Sequence, residues 1–146
     1  MFKHILVATD GSEASEHAAA LAASLARTHG AQITAVYVVD PYPYLGVGES
    51  NPYGFESYMA AARQVAASTH NKVAALCAAE KPEVKMQASM VEGVSVTAGI
   101  LQSAKDHGAD LIVIGSHGRS GIRRLMLGSV SNKIVAESHI PVLVTR

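Results

Sequence analysis

The chain has 146 residues, of which 49% are apolar and 16% are charged, and its formal net charge at pH 7 is +0. This composition predicts one globular domain over residues 1–146 that is long enough to bury a core. It excludes the broad basic surface of a general nucleic-acid binder, and no run approaches the roughly 20 apolar residues that a membrane-inserted helix needs.

The first residues of the chain and its cysteine content indicate in which cellular compartment the protein is expected. The first residues lead directly into an apolar strand, without the charged segment, long apolar stretch and cleavage site of a secretory signal. The single Cys77 cannot form an intrachain disulfide, which suits a reducing environment. We therefore expect a cytoplasmic protein.

Strand and helix patterns alternate in the first part of the chain. His4–Thr9 predicts a short strand, Glu13–His29 a helix that Gly30 ends, and Gln32–Val39 a second strand. The buried stripe of the helix is predicted at Ala14, Ala18, Leu21 and Leu25.

The segment 40–54 holds three of the five prolines, three glycines and three tyrosines. It predicts a long loop and a candidate lid. A helix is expected from about Phe55 to Glu80, where Pro82 stops it.

The second part continues the alternation. Val84–Val91 predicts a strand, Val94–His107 a helix that Gly108 ends, and Leu111–Ile114 a buried fourth strand. A helix capped by Ser129 and running to about Ser138 follows, and Val142–Thr145 predicts a fifth strand. Strands that alternate with helices of this length indicate an α/β fold, with a parallel sheet covered on both faces and ligands at the carboxyl ends of the strands.

Glycines follow the fourth predicted strand at positions 115, 118 and 121, and Gly128-Ser129 precedes the fourth predicted helix. Without a Cβ, such residues can take left-handed backbone angles and approach a ligand closely. Free N–H groups at the helix start, together with loop amides, would form an anion site. The pattern predicts a phosphate site, and the alternative is an ordinary glycine-rich connection.

Charge around this loop also favours an anionic ligand. Between Leu111 and Ala136 there is no Asp or Glu, and a third of all Lys and Arg residues fall there: Arg119, Arg123, Arg124 and Lys133. In a chain without net charge, this local excess suits a phosphate. The alternative is a solvated basic helix face.

The motif Gly115-x2-Gly118-x9-Gly128-Ser129 resembles the nucleotide-binding signature of the ATP-binding branch of the universal stress protein family. The resemblance extends over the whole chain, through Ile5-Leu-Val-Ala-Thr-Asp-Gly-Ser12, Tyr37-Val-Val-Asp40 and Ile140-Pro-Val-Leu-Val144. It implies an open five-stranded parallel sheet of order 3-2-1-4-5, an adenine nucleotide alpha hydrolase-like, Rossmann-like sandwich. In that order the loops that follow Thr9 and Ile114 are neighbours and share one ligand.

Asp10 sits at the carboxyl end of the first predicted strand, and its side chain has several interpretations. Its carboxylate could accept hydrogen bonds from a ribose, hold nucleotide-bound magnesium through water, or cap a helix in the pattern Asp10-x-x-Glu13. The resemblance favours the ligand, and it adds the backbone of Ala8 and Thr9 to the same site. Asp110, at the opposite end of its strand, is expected to be structural.

Val38 and Val39 resemble the family position whose backbone reads adenine while nearby apolar side chains enclose the base. Their alternative role is ordinary sheet core. Ile114 and Met90 are weaker candidates for the same apolar slot, with core packing as their alternative.

For the phosphates, the sequence offers hydroxyls from Ser129 and Ser131, an amide from Val130 and the guanidinium of Arg119. The complete set of expected binding residues is Ala8, Thr9, Asp10, Val38, Val39, Gly115, Ser116, Gly118, Arg119, Gly121, Gly128, Ser129, Val130 and Ser131. We expect ATP, with AMP or ADP as alternatives, and magnesium carried by the nucleotide. Seven scattered histidines and one cysteine have no metal-ligand spacing, so no protein metal site is expected.

The resemblance implies a nucleotide-sensing regulatory protein of the stress response, and no catalytic residue is predicted. One alternative is a slow ATPase or autophosphorylating enzyme that uses the same pocket, and a further one is an adaptor for a transporter or another protein. The apolar strand Ile140–Thr145, if it lies at a sheet edge, exposes amides that a second copy could pair, and the resemblance implies such a homodimer.

Overall fold

The computed structural model describes residues 1–41, 52–118 and 127–146, with residues 52 and 53 as backbone only. Most of the candidate lid, together with Arg119, Gly121, Arg123 and Arg124, lies outside the described residues. The described elements are β1 (His4–Ala8), α1 (Glu13–His29), β2 (Gln32–Val38), α2 (Pro52–Ala78), β3 (Met86–Val91), α3 (Val96–Asp106), β4 (Leu111–Gly115), α4 (Ser129–Glu137) and β5 (Val142–Thr145).

The strands form one parallel sheet in the order β3-β2-β1-β4-β5, which confirms the predicted fold class and strand order. In register, Leu6 lies beside both Thr34 of β2 and Ile112 of β4. Because parallel strands end at the same edge, this pairing brings the turns after β1, β2 and β4 together.

Alternate side chains of the strands pack into cores on the two opposite faces of the sheet. Ile5, Val7 and Val113 pack under α1 and α2, whereas Leu6 and Ile112 pack under α3 and α4. This alternation is the period-2 pattern of a strand buried on both faces. No helix among the described ranges is long and apolar enough to span a membrane.

The ends of α1 follow the predicted bounds, but its buried face differs from the prediction. Leu21 is 38% exposed, and the face against the sheet is formed by small residues instead. These are Ala14, Ser15, Ala18, Ala19, Ala22, Ala23 and Ala26. An alanine face lets the helix backbone lie close to the sheet. Because this close approach leaves little space for a larger side chain, Leu21 points outward.

Two predicted helix starts are also corrected. α2 begins at Pro52, since proline is well tolerated in a first helical turn. The N-cap of α4 is Gly128, and Ser129 is the first helical residue.

The strand β3 is shorter than predicted, because it begins two residues later in the sequence. It begins at Met86, because the amide of Val84 donates to the Cys77 carbonyl rather than to the sheet.

Candidate functional site

A cavity of about 570 Å³ opens at the carboxyl ends of β1, β2 and β4. Its volume falls in the range of about 300–1,000 Å³ that is usual for small-molecule sites. The described residues that line it are Ala8, Thr9, Asp10, Ser12, Ser15, Val36, Tyr37, Val38, Asp40, Val96, Ile100, Ile114, Gly115, His117, Gly118, Leu127, Gly128, Ser129, Val130 and Ser131. The cleft therefore joins the turns after β1 and β4, as the strand order predicts.

Asp10 and Gly118 are the point at which these two turns meet. A Cβ on Gly118 would lie 2.6 Å from Oδ2 of Asp10. The other carboxylate oxygen of Asp10 accepts the amide of Ser12 at 2.8 Å. Asp10 is thus oriented by the turn that precedes α1 and faces the glycine loop.

The N-terminus of α1 corrects one alternative for Asp10. Ser12 is the N-cap, and its hydroxyl accepts the amide of Ser15. Asp10 lies two residues before the cap, and Oδ1 of its carboxylate accepts the amide of Ser12 itself rather than an amide of the first helical turn. The helix-capping interpretation of Asp10 is therefore wrong.

The glycines of the loop serve a different purpose from the one predicted. Left-handed backbone occurs at Gly11, Gly30, Gly93 and Gly108, and not at Gly115, Gly118 or Gly128. The expectation of left-handed angles at the described motif glycines is therefore wrong.

Close packing explains these glycines instead. A Cβ on Gly115 would lie 2.8 Å from the carbonyl carbon of Ala14, and one on Gly128 would lie 3.2 Å from Cα of His117. Both glycines thus lie against neighbouring backbone: a side chain at Gly115 has no room, and one at Gly128 would require the backbone at His117 to shift by a few tenths of an ångström.

The start of α4 presents free backbone donors at the cleft. The amide of Gly128 donates to the Ser116 carbonyl at 2.7 Å, and in the described part of the chain no side chain caps the helix. Ser129, Val130 and Ser131 are the first three helical residues, whose N–H groups have no acceptor within a helix. Together with the helix dipole, these amides favour an anion here.

The two serines at this helix start have different environments. The hydroxyl of Ser131 is buried and donates to the Gly115 carbonyl at 2.7 Å, so it ties α4 to the end of β4. Its proton is therefore not offered to a phosphate, which corrects the role predicted for this hydroxyl. Ser129 is exposed beside the cleft.

The other end of the cleft is apolar. Val38, Val96, Ile100 and Ile114 line it, and all four belong to the core cluster under α3 and α4 or pack against it. The cleft thus has an apolar wall near α3 and a donor-rich wall at α4.

The backbone of Val38 faces the space beyond the end of β1. The amide of Thr9 donates to the Val36 carbonyl, whereas the amide of Val39 donates to the Val91 carbonyl on the opposite side. Because successive residues of a strand direct their backbone groups to alternate sides, Val38 presents its N–H and C=O in the same direction as Val36. At that level β1 has already ended, so these groups lie beside the cleft.

Comparison with known proteins agrees with this architecture. The model of the Universal stress protein family matches residues 1–146. This chain belongs to the universal stress protein family.

Its relatives cover its full length. A universal stress protein from Thermus aquaticus is 38% identical over 147 residues, which span 100% of both chains. The structure of the universal stress protein UspA from Lactobacillus plantarum has a TM-score of 0.80 at 28% identity and covers 99% of this chain and 97% of that one.

Two further structures with this fold contain a nucleotide. One is a universal stress protein in complex with cAMP, at 21% identity, a TM-score of 0.69 and coverage of 99% of this chain and 97% of that one. The other is a universal stress protein from Archaeoglobus fulgidus in complex with dAMP, at 18% identity, a TM-score of 0.70 and coverage of 99% of this chain and 98% of that one. At these identities they show the shared fold.

Several expected residues of this universal stress protein lie away from the cleft wall. Val39 packs against Met59 and Ala62 of α2, and Met90 lies on the edge strand β3. Ser116 is buried beneath the loop, where its backbone bonds to Gly128 and to the Thr145 carbonyl.

Asp110 has the structural role that was predicted for it. Its carboxylate accepts the amides of Lys3 and His4 at 2.8 and 3.1 Å. It therefore joins the beginnings of β1 and β4, at the end of the sheet opposite the cleft.

Other cleft residues were not expected from the sequence. Val96 and Ile100 have the i, i+4 spacing of one helix face, but the position of α3 decides that this face reaches the cleft. Asp40 offered a clearer signal, because it follows β2 much as Asp10 follows β1. Within the described ranges, no group of three or more His, Cys, Asp or Glu residues could hold a metal ion.

Proposed function

We propose that this cleft binds ATP and that the chain is a cytoplasmic, nucleotide-sensing regulatory protein whose bound state a protein partner reads. The observation that carries the proposal is the contact between Asp10 and Gly118, which unites the turns after β1 and β4 around one cavity. One wall of that cavity suits a base and the other suits a phosphate.

The adenosine part is assigned to the apolar wall. Val38 offers a backbone donor and acceptor to the edge of adenine, while Val96, Ile100 and Ile114 provide apolar surface for its faces. The carboxylate of Asp10 lies between the two walls, where it accepts hydrogen bonds from ribose hydroxyls or from water on nucleotide-bound magnesium.

The phosphates are assigned to the start of α4. The described residues that line the cleft include no Lys or Arg, so the donors available there are the amides of Ser129, Val130 and Ser131. Charge-assisted hydrogen bonds contribute about 1.5–3 kcal/mol each, and association costs at least about 4 kcal/mol. Three or four such bonds, together with burial of adenine, give a Kd near micromolar, which corresponds to a favourable binding free energy of about 8 kcal/mol.

The universal stress protein complexes with cAMP and dAMP support an adenine nucleotide as the ligand class, because they hold one on the same fold. The choice of a triphosphate for this chain rests on the donors at α4. The extended group of helix-terminal amides suits several phosphate oxygens better than one.

We also propose a homodimer that forms through β5. This strand is an outer strand of the sheet, and β4 is its one neighbour among the described strands. The carbonyls of Pro141 and Thr145 accept hydrogen bonds from the amides of Ile112 and Ser116, on the β4 side. Because successive residues of a strand direct their backbone groups to alternate sides, those of Val142 and Val144 point outward. A second copy of β5 can satisfy them across a two-fold axis.

Isothermal titration with ATP, ADP and AMP, each with and without magnesium, tests the nucleotide proposal. We expect micromolar ATP binding and weaker binding of AMP, which lacks two phosphates. Asp10→Ala should weaken binding, whereas Asp110→Ala, a carboxylate at the other end of the sheet, should leave the affinity of the folded protein unchanged. An absence of heat and of thermal stabilisation at millimolar ATP would overturn the proposal.

A further inference from the structure

Gly99 is a glycine in the interior of α3, where glycine costs about 1 kcal/mol of helix stability relative to alanine. Its amide makes a regular helical bond to the Ser95 carbonyl at 2.8 Å, so no special backbone conformation calls for it. It is buried. The reason for a glycine here must therefore lie in packing.

The packing partner is Val38 of β2. A Cβ on Gly99 would lie 2.7 and 2.8 Å from the two γ-methyl groups of Val38 and 3.3 Å from its Cβ. The three nearest atoms thus all belong to the side chain of Val38, a residue that lines the cleft. The backbone of α3 rests directly on this valine.

The residues beside Gly99 on α3 line the same part of the cleft. Val96 precedes it by one turn and Ile100 follows it directly, and both face the cavity together with Val38. The distance between α3 and β2 therefore fixes the width of the apolar end of the cleft. That distance depends on the absence of a side chain at position 99.

We infer that Gly99 is a positioning residue for the base: it sets the gap between α3 and Val38 that receives adenine. This inference rests on the nucleotide function proposed above. A methyl group at position 99 must either turn Val38 or move α3 outward. Valine has few allowed χ1 rotamers, so neither response is free of strain, and both change the shape of the slot.

A double-mutant cycle tests the inference through ATP affinity, measured by isothermal titration on the full chain. Gly99→Ala should weaken ATP binding about tenfold, which corresponds to about 1.4 kcal/mol of binding free energy. In a Val38→Ala background the γ-methyl groups are gone, so adding Gly99→Ala should change the Kd by less than about twofold. Gln102→Ala, on the exposed face of α3, is the matched control and should bind as the wild type does.

The outcomes separate the inference from the proposed function. If the wild type does not bind ATP, the proposed function and this inference both fail. If the wild type binds and Gly99→Ala binds equally well, or loses as much in the Val38→Ala background, the inference alone is overturned. Should Gly99→Ala alone not fold, recovery of a folded, ATP-binding protein in the double variant supports the contact, and no recovery refutes it.

Discussion

The carboxylate of Asp10 occupies the space that a side chain at Gly118 would need, with Oδ2 2.6 Å from the position of that missing Cβ. Asp10 lies in the turn after β1, and Gly118 lies in the loop after β4. The contact is possible because β1 and β4 are paired in register. It links the two turns at the cleft.

Gly118→Ala should weaken ATP binding by about tenfold or more while changing the thermal unfolding midpoint little. The added methyl displaces the Asp10 carboxylate from its bond to the Ser12 amide, but Gly118 itself is exposed and its burial contributes little to stability. Titration with ATP and a thermal melt check both parts. Asp10→Ala removes the obstacle, so adding Gly118→Ala to it should alter the Kd by less than about twofold; equal losses in both backgrounds contradict the contact.

Gly115→Ala should instead destabilise the fold, by about 1–3 kcal/mol. Its Cβ would lie 2.8 Å from the carbonyl carbon of Ala14, and helix backbone cannot yield as the end of a side chain can. Urea unfolding at constant pH measures the change. A variant as stable as the wild type would show that α1 can move away from β4 without cost.

Ser131→Ala and Ser129→Ala form a matched pair at the start of α4. Ser131 donates a buried hydrogen bond to the Gly115 carbonyl, so its loss should lower the free energy of unfolding by about 1–3 kcal/mol. Ser129 is exposed, and its substitution should stay within about 0.5 kcal/mol of the wild type. Chemical denaturation of both variants measures the difference, and equal effects would refute the distinction between the two hydroxyls.

Stability should fall as the pH is lowered from 7 to 5. Burial lowers the pKa of His4, and nearby His107 lowers it further, whereas the Asp110 carboxylate opposes the shift. As the pH falls through the ordinary histidine pKa of about 6.5, the unfolded chain therefore binds more protons than the folded chain. This proton binding favours the unfolded state, so the free energy of unfolding decreases in acid. Burial also lowers the pKa of His70, which adds to the same trend.

His4→Asn isolates the contribution of His4. Its free energy of unfolding should depend less steeply on pH between 7 and 5 than that of the wild type, and His139→Asn, at an exposed position, should keep the wild-type slope. Denaturation at several pH values gives the slopes. An unchanged slope in His4→Asn would contradict the assignment.

Val144→Pro should separate the proposed dimer. The amide of Val144 points away from β4, so proline removes an outward donor while the internal ladder is kept. Val144→Ala also shortens the side chain but keeps the donor, and it should remain dimeric. Sedimentation should show a species twice the 15.2 kDa monomer for the wild type and Val144→Ala, and a monomer for Val144→Pro. A wild type that sediments only as a monomer, or a dimeric Val144→Pro, rejects pairing through β5.

The sequence by itself determined the elements and their type. Strict alternation of apolar β-branched runs with helical spacing gave the α/β class, and Gly30 and Gly108 marked where helices stop. These features are local, because backbone propensity and side-chain period act over a few residues. The resemblance to the universal stress proteins added the strand order, which no local pattern contains.

Only the tertiary structure decided what several of these residues do. Gly115 and Gly118 are glycines because Ala14 and Asp10 stand against them, and Leu21 is exposed because alanines bring α1 close to the sheet. The role of Gly99 likewise depends on Val38, which lies on another element. Steric limits of this kind arise between segments distant in sequence, so they exist only once the strands are paired and the helices are packed on them.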